Sequence, residues 1–142
     1  MILFCDTSAL MKLYAHEAKS NEVRAAVKQA TSTLVSMITW VEIHAAFSLK
    51  QRTQQVTQAQ VVAGLARLQE EWDNFTRTGV DVALMIDAGQ LALRYGLRAY
   101  DSIQLASAHR AYQQIGAALT FLCFDKQLST AASGLGIQVL AE

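Results

Sequence analysis

Four carboxylates stand where an apolar run gives way to a helix-compatible one. Asp6 follows Ile2–Cys5 (ILFC) and precedes two hydroxyls, Thr7 and Ser8. Glu42 lies a few residues beyond Thr33–Met37 (TLVSM), Asp101 opens the helical pattern Tyr100–Ile115, and Asp125 follows Leu119–Phe124 (LTFLCF). Each has an ordinary structural explanation. Asp6 and Asp125 suit helix N-caps, Thr39 and Glu42 have capping-box spacing, and Asp101 in a first turn complements the helix dipole. Only 12 residues are acidic, however, and the four share a further property. If the apolar runs are parallel strands, their carboxyl ends lie on one edge of a sheet, where open α/β folds keep their active sites. The neighbours of Glu42 at helical spacing, Ala45, Ala46 and Leu49, predict an inward face for it, and Asp101 shares a face with Leu105 and Ala108. Like charges gathered in such a place raise one another's pKa and destabilise the fold. A divalent cation removes that penalty, and hard oxygen ligands without matching Cys or His suit Mg²⁺ or Mn²⁺. Carboxylates holding such a cation suit phosphodiester hydrolysis, in which the metal activates a water and offsets charge on the attacked phosphate.

The elements that must position these acids can be read from periodicity. Ile2–Cys5 predicts a strand buried on both faces, followed by a short helix carrying Ala9, Leu10, Met11 and Leu13, with Lys12 on its solvated side. Ser20–Ala30 predicts a helix with Ser20 as N-cap and Val23, Ala26, Val27 and Ala30 as its apolar stripe. A strand at Thr33–Met37, a helix from Thr39 to about Arg52 and a helix from Thr57 to near Gly79 come next. Then follow a strand at Val80–Leu84, helices at Ile86–Tyr95 (stopped by Gly96) and Tyr100–Ile115, a strand at Leu119–Phe124, a helix at Lys126–Ser133 and a last strand at Ile137–Leu140. Strands alternating with helices predict an α/β protein, a three-layer α/β/α sandwich with a central, mainly parallel sheet.

Composition narrows the class. The 142 residues fit a single domain spanning 1–142. Hydrophobic residues make up 52% and charged residues 17%, enough for one sizeable core, and the formal net charge is zero, which argues against a generic nucleic-acid coater. No apolar run approaches a membrane span of roughly 18 residues, and no leader pattern opens the chain; a cytoplasmic location with no membrane partner is the expectation. Cys5 and Cys123 each sit inside an apolar run and read as reduced, buried packing residues. The three histidines, His16, His44 and His109, are scattered and lack zinc-ligand spacing.

The segments DTSAL (Asp6–Leu10), TWVEI (Thr39–Ile43), LRAYDSIQLA (Leu97–Ala106) and FDKQL (Phe124–Leu128), in that order over the whole chain, resemble the PIN-domain ribonucleases, and within them the VapC-type toxins of prokaryotic toxin–antitoxin pairs. The resemblance implies a compact α/β/α sandwich and Mg²⁺-dependent endonuclease action on RNA. It implies that Asp6, Asp101 and Asp125 hold the metal, that Glu42 acts through a bound water, and that Ser8 braces the first aspartate. An orienting role for a nucleophilic water falls to Glu42 or Asp125. Arg98 is a candidate contact for a substrate phosphate, with a plain surface arginine as its alternative; Lys12 and Lys126 are weaker candidates. The resemblance further implies a homodimer and a cognate antitoxin. The antitoxin's tail would enter a groove between the N-terminal helices and the helix pair at Thr39–Phe75, with Leu13, Tyr14, Trp40, Phe47, Val61 and Leu65 as lining or core residues. The family's proline near His16–Glu17 is missing, which leaves the loop Ala15–Ser20 undetermined.

Other readings stay open at this level. A non-catalytic PIN module that binds RNA or protein, or a PIN nuclease in RNA processing, would share the pattern. An aspartyl phosphotransferase would need an Asp at the position of Ser8, and a receiver domain would need an acceptor Asp directly after its third strand; Met85, Ile86 and Asp87 match that poorly.

Overall fold

The computed structural model describes residues 1–140. Strand β1 (Ile2–Cys5) leads into a four-residue helix α1 (Thr7–Leu10), extended by a 3₁₀ turn (Met11–Leu13). Then follow α2 (Ser20–Gln29), β2 (Ser32–Ser36), α3 (Ile38–Arg52), α4 (Gln58–Glu71), β3 (Thr76–Thr78), α5 (Val82–Tyr95), α6 (Ala99–Ile115), β4 (Leu119–Leu122), α7 (Lys126–Gly134) and β5 (Gln138–Val139). The strands lie in the order β3-β2-β1-β4-β5 and every neighbouring pair is parallel. This is the α/β sandwich expected from the alternation of elements, and its sheet is parallel throughout the described residues.

Side-chain alternation along the strands divides the core in two. Phe4, Leu34, Leu119 and Phe121 face α5, α6 and α7, where they meet Leu84, Leu91, Leu105 and Leu128. Leu3, Cys5, Val35 and Leu122 face the other way, onto Leu10, Val23, Ile43, Phe47 and Leu68. Phe4 and Phe121 pack ring to ring with centroids 5.9 Å apart. Phe4, Phe47 and Phe121 are essentially solvent-free, and burying each is worth about 1.5–3 kcal/mol. Cys5 and Cys123 are free and buried, as their apolar settings predict. No helix among the described residues is long and apolar enough to cross a membrane.

Several expectations need correction. The strand predicted at Val80–Leu84 is helix: Asp81 caps α5 by accepting from the Leu84 N–H (2.8 Å), and Leu84 is fully buried on the helical face. The third strand is instead the polar segment Thr76–Thr78, paired with Leu34–Ser36 at the sheet edge. Its hydrogen bonds, rather than apolar side chains, place it there, so hydrophobic periodicity overlooks it. Helix α4 consequently ends at Glu71, with a 3₁₀ turn to Asn74. Ser20 is the first helical residue rather than the cap. Lys19 precedes it with φ 72°, and the Ser20 hydroxyl accepts from Glu17 N–H and donates to the Ala15 carbonyl, closing the loop that lacks proline. Thr39 is fully buried inside α3, so the capping box belongs elsewhere, to Thr57 and Gln60 at the start of α4.

Candidate active site at the carboxyl edge of the sheet

Because β1 and β4 are parallel neighbours, with Cys5 opposite Leu122, the residues that follow them emerge together. Asp6 extends the ladder by one bond, from its N–H to the Leu122 carbonyl (3.2 Å). Its side chain then caps α1: Oδ1 accepts from Ala9 N–H at 2.9 Å and from the Ser8 hydroxyl at 2.7 Å. Ser8 in turn accepts from the Phe124 N–H at 3.1 Å, tying this corner to the end of β4. The capping role and the site role are therefore compatible in one residue. Asp6 is almost wholly buried (3% exposed). Burial pushes its carboxyl up to about 6; the Asp101 charge adds to this, while the bonds from Ser8 and Ala9 and the nearby Cys123 thiol oppose it. Burial and the Asp6 charge hold the Cys123 thiol far above the usual range, so it stays protonated. The same two causes do so for Cys5.

Asp125 repeats the pattern at the next strand. Its Oδ1 caps α7 through the Leu128 N–H at 2.9 Å, and its Oδ2 lies 3.7 Å from Nη2 of Arg98. Arg98 precedes α6 and is bound to Asp101 in the first turn of that helix, with both Nε and Nη2 at 3.1 Å from Asp101 Oδ2. A single guanidinium thus stands against two carboxylates. The Arg98 side chain is 83% exposed while those of Asp101 and Asp125 are 23% and 33% exposed.

Glu42 enters from α3, but on a different face from that predicted. Ala45 and Leu49 are exposed, and the inward residues are Thr39, Ile43 and Phe47. A four-residue step that brings Ile43 and Phe47 into the core leaves Glu42 at its boundary, half-buried. There its Oε1 accepts from the Thr7 hydroxyl at 2.7 Å and from Gln104 Nε2 at 2.8 Å. Gln104 Nε2 also lies 2.9 Å from Thr39 Oγ1 and 3.1 Å from Thr7 Oγ1, and the two hydroxyls are 3.0 Å apart. The sequence marks Thr7 only as a hydroxyl beside Asp6 and Thr39 only as a capping-box residue, and it does not mark Gln104 as a site residue. A signal for Gln104 existed: it is an amide inside the apolar run Ile103–Ala106, where a polar side chain needs a partner.

Of the basic candidates, Lys12 is not a solvated helix residue. Its side chain is 13% exposed, 3.2 Å from Glu17 Oε1, and its ammonium lies 4.8 Å from the centre of the Phe124 ring. Lys50 closes on the other oxygen of Glu17 at 2.8 Å. Burial raises the Glu17 carboxyl, but the bonds from Lys50 and Lys12 outweigh it and the net shift is downward. Lys126 is exposed at the start of α7. Leu13, Tyr14 and Phe47 do border a cleft of about 280 Å³ against α4, shared with Arg24 and Arg67. Trp40 instead packs on Trp72 and His44, and Val61 and Leu65 pack on the core.

The rim offers only hard oxygen donors plus the two buried thiols. Among the described residues no three acidic, histidine or cysteine side chains close into a cage. A guanidinium standing between Asp101 and Asp125, and an aspartate whose burial is only partly offset, both fit a position for added positive charge. The donor chemistry fits Mg²⁺ or Mn²⁺ and not zinc.

Comparison with known proteins gives the family of the fold. A family model described as PIN domain matches residues 3–133. Ribonuclease VapC45 of Mycobacterium tuberculosis (strain CDC 1551 / Oshkosh) is 29% identical over 143 residues, covering 97% of this chain and 94% of the relative. Among solved structures, the PAE2754 protein of Pyrobaculum aerophilum superposes with a TM-score of 0.67 at 19% identity, over 98% of this chain and 89% of that one. A toxin–antitoxin complex from Klebsiella pneumoniae gives 0.66 at 18% identity, over 99% and 97%.

Proposed function

The chain belongs to the PIN domain family, and we propose that it is a Mg²⁺-dependent endoribonuclease, the toxin of a toxin–antitoxin pair, restrained by a cognate antitoxin and acting as a homodimer. The observation that carries the nuclease reading is the Arg98 guanidinium set against Asp101 and Asp125 at the carboxyl edge of the sheet, with buried Asp6 close enough to feel the Asp101 charge. The toxin reading is supported by the curated relative named Ribonuclease VapC45 and by the likeness to a toxin–antitoxin complex.

Asp6, Asp101 and Asp125 would hold the Mg²⁺, with Mn²⁺ as a substitute. When bound, the ion supplies an acidified water and offsets the charge that grows on the attacked phosphate. The protein's own contributions are positional. Asp6 and Asp125 each commit Oδ1 to a helix N-terminus, which fixes the carboxyl planes. Ser8 holds Asp6 against the end of β4. Glu42, with Oε1 already bound to Thr7 and Gln104, keeps its other oxygen for the attacking water. Arg98, on an exposed stem, pairs with a phosphate of the RNA, where a planar fork of donors is at its best. Net charge zero suits an enzyme that grips a few phosphates rather than a long stretch of backbone.

The test is cleavage of a mixed RNA pool by the wild type and by Asp6→Asn, with Mg²⁺ and then with EDTA. Cutting that needs both Mg²⁺ and Asp6 supports the reading. A folded, antitoxin-free wild type that leaves every RNA intact overturns it. Growth arrest on induction of the wild type, absent with Asp6→Asn, tests the toxin role, and sedimentation velocity tests the dimer.

A further inference from the structure

Gln104 is 1% exposed, yet its Oε1 has no hydrogen-bond partner among the described residues. A buried carbonyl left without a donor costs stability. An apolar side chain of the same size between Ile103 and Leu105 would avoid that cost. All the favourable contacts lie on the other end of the amide, where Nε2 reaches Glu42, Thr39 and Thr7 at 2.8, 2.9 and 3.1 Å.

Those contacts share one direction of donation. With Thr7 donating to Glu42 Oε1, the Thr39 hydroxyl donates to Thr7 Oγ1, and the two amide protons are shared among Glu42 Oε1, Thr39 Oγ1 and Thr7 Oγ1. Every donor in the group then points, directly or through a hydroxyl, at one oxygen of one carboxylate. Turning the amide over would set its carbonyl 2.8 Å from Glu42 Oε1, acceptor against acceptor. The charge on Glu42 therefore determines the amide's orientation and leaves the far carbonyl orphaned. The group also joins three elements that carry acids: Thr7 adjoins Asp6, Thr39 precedes Glu42 on α3, and Gln104 follows Asp101 on α6.

We infer that Gln104 is a positioning residue for the proposed reaction: its amide clamps one oxygen of Glu42 so that the other is presented to the attacking water. Without the amide, Glu42 keeps the Thr7 hydroxyl and Thr39 keeps its bond to Thr7. The orphaned carbonyl is a cost that a side chain placed only for packing would not carry, which is what separates a positioning role from a packing role.

This inference rests on the nuclease reading of the same site, and the experiment keeps the two apart. Wild type, Gln104→Met, Glu42→Gln and the double variant are compared for melting temperature and for kcat and KM on RNA with Mg²⁺. Met is close to Gln in volume and removes the polar atoms. The expected result for Gln104→Met is a melting temperature equal to or above wild type, kcat lower by about 10–100-fold and KM within about twofold, because substrate binding is untouched. Added to Glu42→Gln it should cost nothing further. Unchanged kcat, or a loss of rate that follows a loss of stability, overturns the inference while wild-type cleavage upholds the nuclease reading. The clamp is also read without RNA, from the ¹⁵N-resolved side-chain amide of Gln104. In wild type it should exchange slowly with solvent, and Glu42→Ala should shift it and remove that protection. A resonance that ignores Glu42→Ala overturns the inference whether or not RNA is cut.

Discussion

The Ser8 hydroxyl donates to Asp6 Oδ1 across 2.7 Å and accepts from the Phe124 N–H across 3.1 Å. One small side chain therefore joins the acid after β1 to the segment that delivers Asp125. Ser8→Ala removes a bond that holds the Asp6 carboxyl down and leaves the Phe124 N–H without its acceptor. We expect RNA cleavage to fall by about 10–100-fold, with a stability loss of about 1 kcal/mol, read from steady-state rates and a denaturant titration. Ser8→Thr, which keeps the hydroxyl, restores most of both.

Asp6 itself opposes folding when charged and unscreened. Its folded pKa, about 6, exceeds the ordinary 3.8, so between these values the folded chain binds more protons than the unfolded one. Stability is highest below about pH 4 for this group and declines as pH rises through 6. The difference between the two values corresponds to about 3 kcal/mol. Asp6→Asn keeps the acceptor for Ser8 and Ala9 and never ionises. The metal-free variant should exceed wild type in melting temperature at pH 7.5 and by much less at pH 4.5. Added Mg²⁺ should raise the wild type and not the variant; a variant less stable than wild type at pH 7.5 contradicts the argument.

Arg98 is already paired with Asp101 and Asp125, so a cation held by these acids would have to compete with it. Arg98→Gln should tighten Mn²⁺ binding by the RNA-free chain, measured by calorimetry. With Arg98 in the proposed phosphate-binding role, the same change should raise KM for RNA several-fold. Tighter metal and weaker RNA together are the expected pair; weaker metal binding would show that Arg98 supports the acids instead.

Asp81 caps α5 and accepts both Arg110 nitrogens at 3.0 Å. The Arg110 bond, then the Leu84 N–H, hold its carboxyl down at about 2. The contribution is complete above the ordinary 3.8 and disappears as pH falls towards 2. Asp81→Ala should therefore lower the melting temperature at pH 6 and have little effect at pH 2, as read by circular dichroism.

Gly64 lets α4 approach closely. A Cβ there would sit 2.5 Å from Phe47 Cζ and 2.8 Å from the Tyr14 carbonyl oxygen. The backbone oxygen cannot yield as a side chain would. Gly64→Ala gains about 1 kcal/mol of helix propensity and meets overpacking of about 1–3 kcal/mol. A net drop in melting temperature is expected; a rise would mean that α4 shifts freely.

The information legible along the chain is local. Asp6 and Asp125 at the ends of apolar runs, Asp101 at a helix start and the alternation of elements sufficed for a parallel α/β sheet with acids along one edge. Parallel strands share their carboxyl ends, so order along the chain carries position in space. Which way each side chain points and what it meets follow from the packing of whole elements. The third strand is Thr76–Thr78 because β2 supplies its hydrogen bonds, not because its residues are apolar. The face that α3 presents follows from how Ile43 and Phe47 fit the core, and that rotation carries Thr39 inward and Glu42 to the rim. Gln104 meets Glu42 across 62 positions of chain. Contacts of that range depend on the packing of whole elements, and no periodicity along one segment encodes them.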